Sequence, residues 1–222
     1  MNQLDGPRVV PRSGAPSALV VLLHGYGANG DDLIALADGW QRWLPNAAFV
    51  APNAPEAIPG MYGGLQWFAL TMRDPSEYRR GVVSARPAVD RFLDAELSRY
   101  RLTPDRLVLV GFSQGTMLSL HVGLRRPAAP AAIVGYSGLL AGPEHLNEIS
   151  ARPPIMLVHE EADDLIPVAA LHIAREELAK AGLLVEWHVR PDLGHGIDPT
   201  AQLLGGQYIG SALKGRQQAA IT

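Results

Sequence analysis

Residues 107–115 read LVLVGFSQG and predict a strand, a sharp turn and the start of a helix. Its apolar part, residues 107–110, is typical of a buried strand, and a helical pattern follows Gln114. The turn between them matches G-x-S-x-G, a motif in which a sharp strand-to-helix turn exposes the serine hydroxyl. Ser113 is therefore a candidate nucleophile. The alternative is a glycine-rich turn whose serine caps the following helix.

Short apolar runs alternate with longer amphipathic stretches along the whole chain. Because most of the runs are continuous, they predict strands that are buried on both faces. The predicted strands are 18–23, 47–51, 107–112, 131–136, 155–158 and 183–189, and the predicted helices are 31–44, 81–100, 114–125, 168–181 and 201–213. This alternation favours an α/β fold with a mostly parallel sheet and helices on both faces. An antiparallel edge is expected within roughly the first ten to fifteen residues.

The length and composition are those of a globular chain. With 222 residues, of which 47% are hydrophobic and 18% charged, the chain is long and apolar enough to bury a sizeable core. An α/β fold often reaches about 200–250 residues as one domain. We therefore expect residues 1–222 to form a single domain.

Composition also argues against several classes of function. The net charge is −3 and the chain has no basic stripe, which argues against nucleic-acid binding. The absence of cysteine excludes disulfides, thiolate metal ligands and a cysteine nucleophile. The longest apolar runs have about six residues, against the ~20 of a membrane span, and the first residues lack the apolar part of a signal peptide. We expect a cytoplasmic protein that does not insert stably into membranes.

A serine nucleophile needs a base and an acid that orients the base. Of the seven histidines, His195 lies between two glycines after the last predicted strand. It is the histidine that completes the chain order serine, strand-end acid, histidine. The acid is expected in the loop after the strand 155–158, where four carboxylates crowd together. They are Glu160, Glu161, Asp163 and Asp164. Spacing along the chain leaves the choice among them open.

Two backbone N–H groups are needed to bind the negative charge that develops on a carbonyl oxygen during acyl transfer. One comes from Gln114, the residue after the serine. The other is expected from Tyr26, which lies between Gly25 and Gly27 after the strand 18–23. The same loop also satisfies G-x-G-x-x-G, the pattern of a dinucleotide-binding turn. No acidic residue ends the following strand, so we favour the oxyanion-binding interpretation.

The segment 52–76 has no clear period and is too apolar for disorder. Its large apolar residues are Met61, Tyr62, Leu65, Trp67, Phe68 and Leu70. Loops of this length in compact domains are usually functional. We expect this one to form a wall of the ligand pocket, with Leu65, Trp67 and Phe68 as substrate-binding residues. The alternative is a loop that simply packs over a sheet edge.

Four ordered motifs resemble the phospholipase/carboxylesterase family of α/β-hydrolases, which includes bacterial carboxylesterases and acyl-protein thioesterases. They are Leu23-His24-Gly25-Tyr26-Gly27, Gly111-Phe112-Ser113-Gln114-Gly115, His159-x-x-x-Asp163-x-x-x-Pro167 and Gly194-His195-Gly196-Ile197. The resemblance covers about residues 15–215 and implies an α/β-hydrolase fold with no large cap domain. It implies that Ser113, Asp163 and His195 form a catalytic triad.

The resemblance also implies that Tyr26 and Gln114 are the oxyanion donors. The implied reaction is hydrolysis of small-molecule carboxylic or thiol esters through an acyl-enzyme, without a metal or cofactor and often by homodimers. The chain departs from the family pattern at Glu160, where glycine is frequent, and at Ala69, where an acid is frequent. The departure at Ala69 concerns the pocket and therefore the choice of substrate. Alternatives are a peptidase or an acyltransferase on the same fold, or a binding module without catalysis.

Overall fold

The computed structural model describes residues 3–12, 14–71, 74, 76–191 and 193–219. Its strands are β1 (Arg8–Val9), β2 (Ala18–Leu23), β3 (Ala47–Val50), β4 (Glu56–Ala57), β5 (Leu65–Gln66), β6 (Leu107–Phe112), β7 (Ala132–Tyr136), β8 (Ile155–Glu160) and β9 (Val185–Arg190). Its helices are α1 (Gly30–Ile34), α2 (Leu36–Trp40), α3 (Ser76–Tyr100), α4 (Gln114–Gly123), α5 (Ala169–Lys180) and α6 (Pro199–Ala219). Short 3₁₀ turns cover Pro104–Arg106 and Pro143–Glu148.

Seven of the strands form one sheet in the spatial order β1-β3-β2-β6-β7-β8-β9. Strand β1 pairs antiparallel with β3, and every other pair in this sheet is parallel. Parallel strands bring their carboxyl ends to the same edge of a sheet, so the loops after β2, β6, β8 and β9 emerge side by side. The predicted α/β-hydrolase fold, with its mostly parallel sheet and antiparallel edge, is confirmed.

The sheet is buried on both faces, which explains why its strands are continuous apolar runs. In β2, Leu19, Val21 and Leu23 pack in the cluster that also holds residues of α3, α4 and α5. The intervening residues Val20 and Leu22 pack in a second cluster with residues of α1, α2 and α6. Successive side chains of a strand point to opposite faces, so one strand contributes to both cores.

The predicted secondary structure differs from the observed one at two places. The predicted helix 31–44 is wrong as a single helix, because the structure has α1 and α2, which meet at Ala35. Trp40 in α2 is buried, and its Nε1–H donates to the carbonyl of Gln202 in α6 at 2.7 Å. This tertiary contact is absent from the local pattern. The segment 52–76, where no strand was predicted, contains the β4–β5 hairpin.

Among the described residues, no helix is both long enough and apolar enough to cross a bilayer.

Helix α4 lies closer to the sheet than a side chain would allow. A Cβ added to Gly115 would stand 1.8 Å from the carbonyl oxygen of Leu23 in β2. A Cβ added to Gly111 would stand 2.3 Å from the carbonyl oxygen of Gly115. Both neighbours are backbone atoms and cannot move aside cheaply. The glycines of the G-x-S-x-G motif therefore set the distance between α4 and the central strands.

We predict that Gly115→Ala destabilises the fold while Gly210→Ala, a matched change inside α6, does not. The added methyl group at residue 115 meets backbone, and overpacking of this kind costs about 1–3 kcal/mol or more. At residue 210 the nearest atom to an added Cβ would be Leu44 Cδ2 at 3.9 Å, which is ordinary contact. The higher helix propensity of alanine should then raise the free energy of unfolding by up to ~1 kcal/mol. Urea unfolding of both variants measures the difference. Equal midpoints would contradict the close approach of α4.

Candidate active site

Ser113 connects β6 to α4 in a strained backbone conformation. Its φ of 54° and ψ of −115° lie in a region that costs a non-glycine residue on the order of 1–3 kcal/mol. Hydrogen bonds hold the turn: the Ser113 N–H donates to the Tyr136 carbonyl at 2.9 Å, and the Thr116 N–H donates to the Ser113 carbonyl at 3.0 Å. Thr116 Oγ1 also lies 2.8 Å from the carbonyl oxygens of Gly111 and Tyr136. The strain is thus maintained by the surrounding structure.

The turn brings Ser113 into a cavity of about 270 Å³ that His195 also lines. Apolar side chains make up most of the remaining wall. The lining residues are Tyr26, Leu70, Tyr78, Phe112, Ser113, Gln114, Met117, Leu165, Ile166 and His195. The Phe112 and His195 rings lie against each other, with centroids 4.9 Å apart. A serine, a histidine and an apolar surface therefore share one space.

Asp163 meets His195 from the side away from solvent. The distance from His195 Nδ1 to Asp163 Oδ2 is 2.8 Å, and Asp163 is 6% exposed. Asp163 Oδ1 accepts the N–H groups of Leu165 at 3.0 Å and Ile166 at 2.9 Å. A carboxylate only accepts hydrogen bonds, so Nδ1 carries the proton and Nε2 of His195 is left with its lone pair.

The surroundings of Asp163 favour its charged form. Burial raises the pKa of the Asp163 carboxyl, but the Ile166 N–H and His195 lower it by more, so the pKa lies below its usual range. Asp163 therefore stays ionised at neutral pH. An ionised carboxylate at this place orients the imidazole and stabilises an imidazolium when one forms.

The structure separates the four carboxylates that the sequence left as alternatives. Asp163 alone among them contacts His195 in the hydrogen bonds of the described residues, while Asp164 and Glu161 are exposed. Glu160 is buried and points elsewhere: its Oε1 lies 3.4 Å from the N–H of Asp198. Glu160, which stands where the family often has glycine, thus contacts the segment that follows His195.

The loop with Tyr26 is fixed by backbone hydrogen bonds to the β5 strand. The Gly27 N–H donates to the Leu65 carbonyl at 2.9 Å, and the Leu65 N–H donates to the Ala28 carbonyl at 3.1 Å. Gly27 has φ +82°, a conformation that favours glycine. Tyr26 and Gln114 both line the cavity. Their backbone N–H groups remain the predicted oxyanion donors.

His24 supports this loop from the core. Its Nδ1 lies 2.8 Å from the Gly25 carbonyl oxygen, and its Nε2 accepts the Ala54 N–H at 3.0 Å. These partners fix a neutral ring with the proton on Nδ1. Burial lowers the pKa of His24, in agreement with the neutral form. His24 is therefore a structural residue of the loop.

The three residues predicted to bind substrate do not line the cavity. Trp67 and Phe68 are buried in the core at 2% and 5% exposure. The Trp67 Nε1–H donates to the His24 carbonyl at 2.9 Å, and the Gln114 side chain bonds both the Trp67 N–H and the Phe68 carbonyl. Leu65 pairs with Ala57 in the hairpin. Trp67 and Phe68 pack behind the cavity wall, and among the described residues of the segment 52–76 Leu70 lines the cavity.

Sequence reasoning missed four of the residues that line the cavity. Met117 lies one helical turn after Ser113, so its position on the same face of α4 could have been noticed. Leu165 and Ile166 follow Asp163 directly, which was also a usable signal. Tyr78 lies in the first turns of α3, which begins at Ser76 although the apolar pattern starts at residue 81. Nothing in the local pattern indicated it.

Known proteins are similar to this chain over most of its length. The family model described as phospholipase/carboxylesterase matches residues 4–202. Acyl-protein thioesterase 1 of Schizosaccharomyces pombe is 30% identical over 72% of this chain and 74% of its own length. The crystal structure of esterase PE8 is 37% identical, with a TM-score of 0.91 over 95% of this chain and all of that one. Acyl-protein thioesterase 2 of Zea mays shares the fold, with a TM-score of 0.75, 24% identity and coverage of 93% and 98%.

We predict that Asp163→Asn lowers kcat by about 10⁴-fold, because an amide stabilises the wrong tautomer of the neighbouring histidine. Asp164→Asn is the matched control, since Asp164 is exposed on the same loop, and its kcat should change by no more than a few-fold. Ester hydrolysis at neutral pH measures both, with circular dichroism to verify folding. A crippled Asp164→Asn beside an active Asp163→Asn would place the acid one residue further on.

Proposed function

This chain belongs to the phospholipase/carboxylesterase family, and we propose that it hydrolyses carboxylic or thiol esters through Ser113, His195 and Asp163. A hydrolase of the esterase and thioesterase type also accords with relatives named acyl-protein thioesterase and esterase. The substrate is a small acyl ester whose acyl group enters the cavity beside Ser113. The cytoplasmic location and the homodimer remain predictions.

In the proposed reaction each of the three side chains has one role. His195 Nε2 takes the proton of the Ser113 hydroxyl, and Ser113 Oγ attacks the acyl carbonyl carbon. The N–H groups of Tyr26 and Gln114 bind the oxyanion of the tetrahedral intermediate. His195 then gives the proton to the leaving alkoxide or thiolate, and an acyl-enzyme remains on Ser113. Water repeats the two steps and releases the acid.

One observation carries the proposal: His195 and Ser113 line the same cavity. His195 is bonded to buried Asp163 at 2.8 Å, and Ser113 lies in a strained turn. Functional sites are where backbone strain concentrates, and Ser113 is a strained serine that also lines the cavity. A binding module without catalysis has no use for an oriented base next to a strained serine. The mostly apolar lining favours apolar acyl groups.

We predict that a fluorophosphonate probe labels Ser113, and that Ser113→Ala abolishes both labelling and ester hydrolysis above the residual level of about 10³–10⁴-fold over water. Ser137→Ala is the control, because Ser137 also follows a strand but is buried and donates to the Gly196 carbonyl at 3.2 Å. This variant should keep the label. Peptide mass mapping identifies the modified serine. A label on another serine in the folded protein would contradict the assignment.

We predict that Leu70→Trp lowers kcat/KM for octanoyl esters by about tenfold or more relative to acetyl esters, because the larger ring fills part of the cavity. Trp67→Ala should lower kcat/KM by a similar factor for every acyl length, since Trp67 acts by holding the His24 carbonyl. An acyl-length series of p-nitrophenyl esters measures both variants. If only Trp67→Ala changed the preference for acyl length, the acyl group would contact Trp67. The assignment of Leu70 to the acyl-binding wall would then be wrong.

A further inference from the structure

A second histidine lies against the carboxylate of Asp163. His159, in β8, is 1% exposed, and its Nε2 is 2.7 Å from the Ile166 carbonyl oxygen. The same nitrogen is 3.3 Å from Asp163 Oδ2, the oxygen that also meets His195. The proposed mechanism gives no step to His159. Its contacts nevertheless reach two parts of the site.

The neighbours of His159 determine where its proton lies. A carbonyl oxygen and a carboxylate oxygen are both acceptors, so Nε2 must carry the hydrogen that faces them. The ionisable groups that bear on His159 are Asp163 and His195. Burial lowers the pKa of His159, and the ring is therefore neutral at the pH of catalysis. His159 is thus a fixed N–H donor.

His159, Ile166 and Asp163 form a small closed set of contacts, in which His159 Nε2 bonds the Ile166 carbonyl and lies 3.3 Å from Asp163 Oδ2. The Ile166 N–H donates to Asp163 Oδ1 at 2.9 Å, while the Ile166 carbonyl faces His159 Nε2. Ile166 lines the cavity beside Ser113. His159 therefore contacts the loop 163–166 at two points, the Asp163 carboxylate and the carbonyl of the cavity-lining residue Ile166.

We propose that His159 is a positioning residue for the triad: its Nε2–H holds the Ile166 carbonyl and the Asp163 carboxylate so that Oδ2 faces His195 Nδ1. The inference rests on the proposed function. It has a second consequence, since a donor on Oδ2 withdraws part of the negative charge that His195 experiences. His159 thereby affects the electrostatic field at the His195 imidazole as well as the orientation of that ring.

The test compares donor-free and donor-bearing replacements of His159. His159→Leu and His159→Met remove the N–H, whereas His159→Gln keeps an amide N–H donor. His121→Leu is the matched control, because His121 is buried on α4 at 4% exposure and its Nδ1 has no hydrogen-bond partner among the described residues. The measurement is kcat and KM for a p-nitrophenyl ester from about pH 5 to pH 8.

We expect the donor-free variants to lose about tenfold in kcat, equivalent to ~1.4 kcal/mol, with little change in KM. The acid limb of their kcat/KM profile should move to higher pH, because the full charge of Asp163 then acts on the imidazole. His159→Gln should recover most of the kcat and of the profile. His121→Leu should leave the acid limb in place. The two donor-free variants keep the test valid if one of them fails to fold.

Two results would overturn the inference. One is an acid limb at the wild-type pH in both donor-free variants, which would leave His159 with a packing role only. The other is a His159→Gln variant as impaired as His159→Leu. Fluorophosphonate labelling of the wild type separates this failure from that of the proposed function. An unlabelled Ser113 would reject the triad itself, whereas a labelled Ser113 with these results would reject only the role of His159.

Discussion

The contact between α4 and β2 at Gly115 and Leu23 is the constraint on which the site depends. Because the Leu23 carbonyl occupies the place of a side chain at residue 115, α4 lies directly against the central strands. The chain between β6 and α4 has no room for a relaxed turn, and Ser113 takes up the strain with φ 54°. The energy stored there is offset by the two apolar cores on either side of the sheet.

The parallel sheet then assembles the remaining groups. Asp163 follows β8 and His195 follows β9, two strands that pair in parallel with Glu160 opposite Arg190. Their loops emerge next to each other, which permits the 2.8 Å contact between the carboxylate and the imidazole. The Tyr26 loop follows β2, the neighbour of β6 on the other side. Groups that are far apart in the chain therefore meet at one edge of the sheet, because the parallel strands bring their loops together.

Much of this arrangement could be predicted from the sequence, because its signals are local. The run 107–115 contains both the buried strand and the two glycines that the turn requires. Trp67 and Phe68 were assigned to the pocket because aromatic residues in an irregular segment suit a pocket wall and a core equally. Only the hydrogen bonds to His24 and Gln114 show that they face the core. The motif spacing between His159 and Pro167 points to Asp163, but its contact with His195 depends on tertiary structure. The proton position of His159 has no local signal, since it depends on the Ile166 carbonyl.

A crystal structure of the protein after reaction with a fluorophosphonate would show the modified serine together with its neighbours. We expect phosphorus bonded to Ser113 Oγ, with the phosphonyl oxygen about 2.7–3.1 Å from the backbone N–H groups of Tyr26 and Gln114. We also expect His195 Nε2 next to the modified Oγ, with Asp163 still bonded to Nδ1. An adduct on Ser113 whose phosphonyl oxygen points to solvent, or whose nearest base is a group other than His195, would contradict the proposed triad and oxyanion donors.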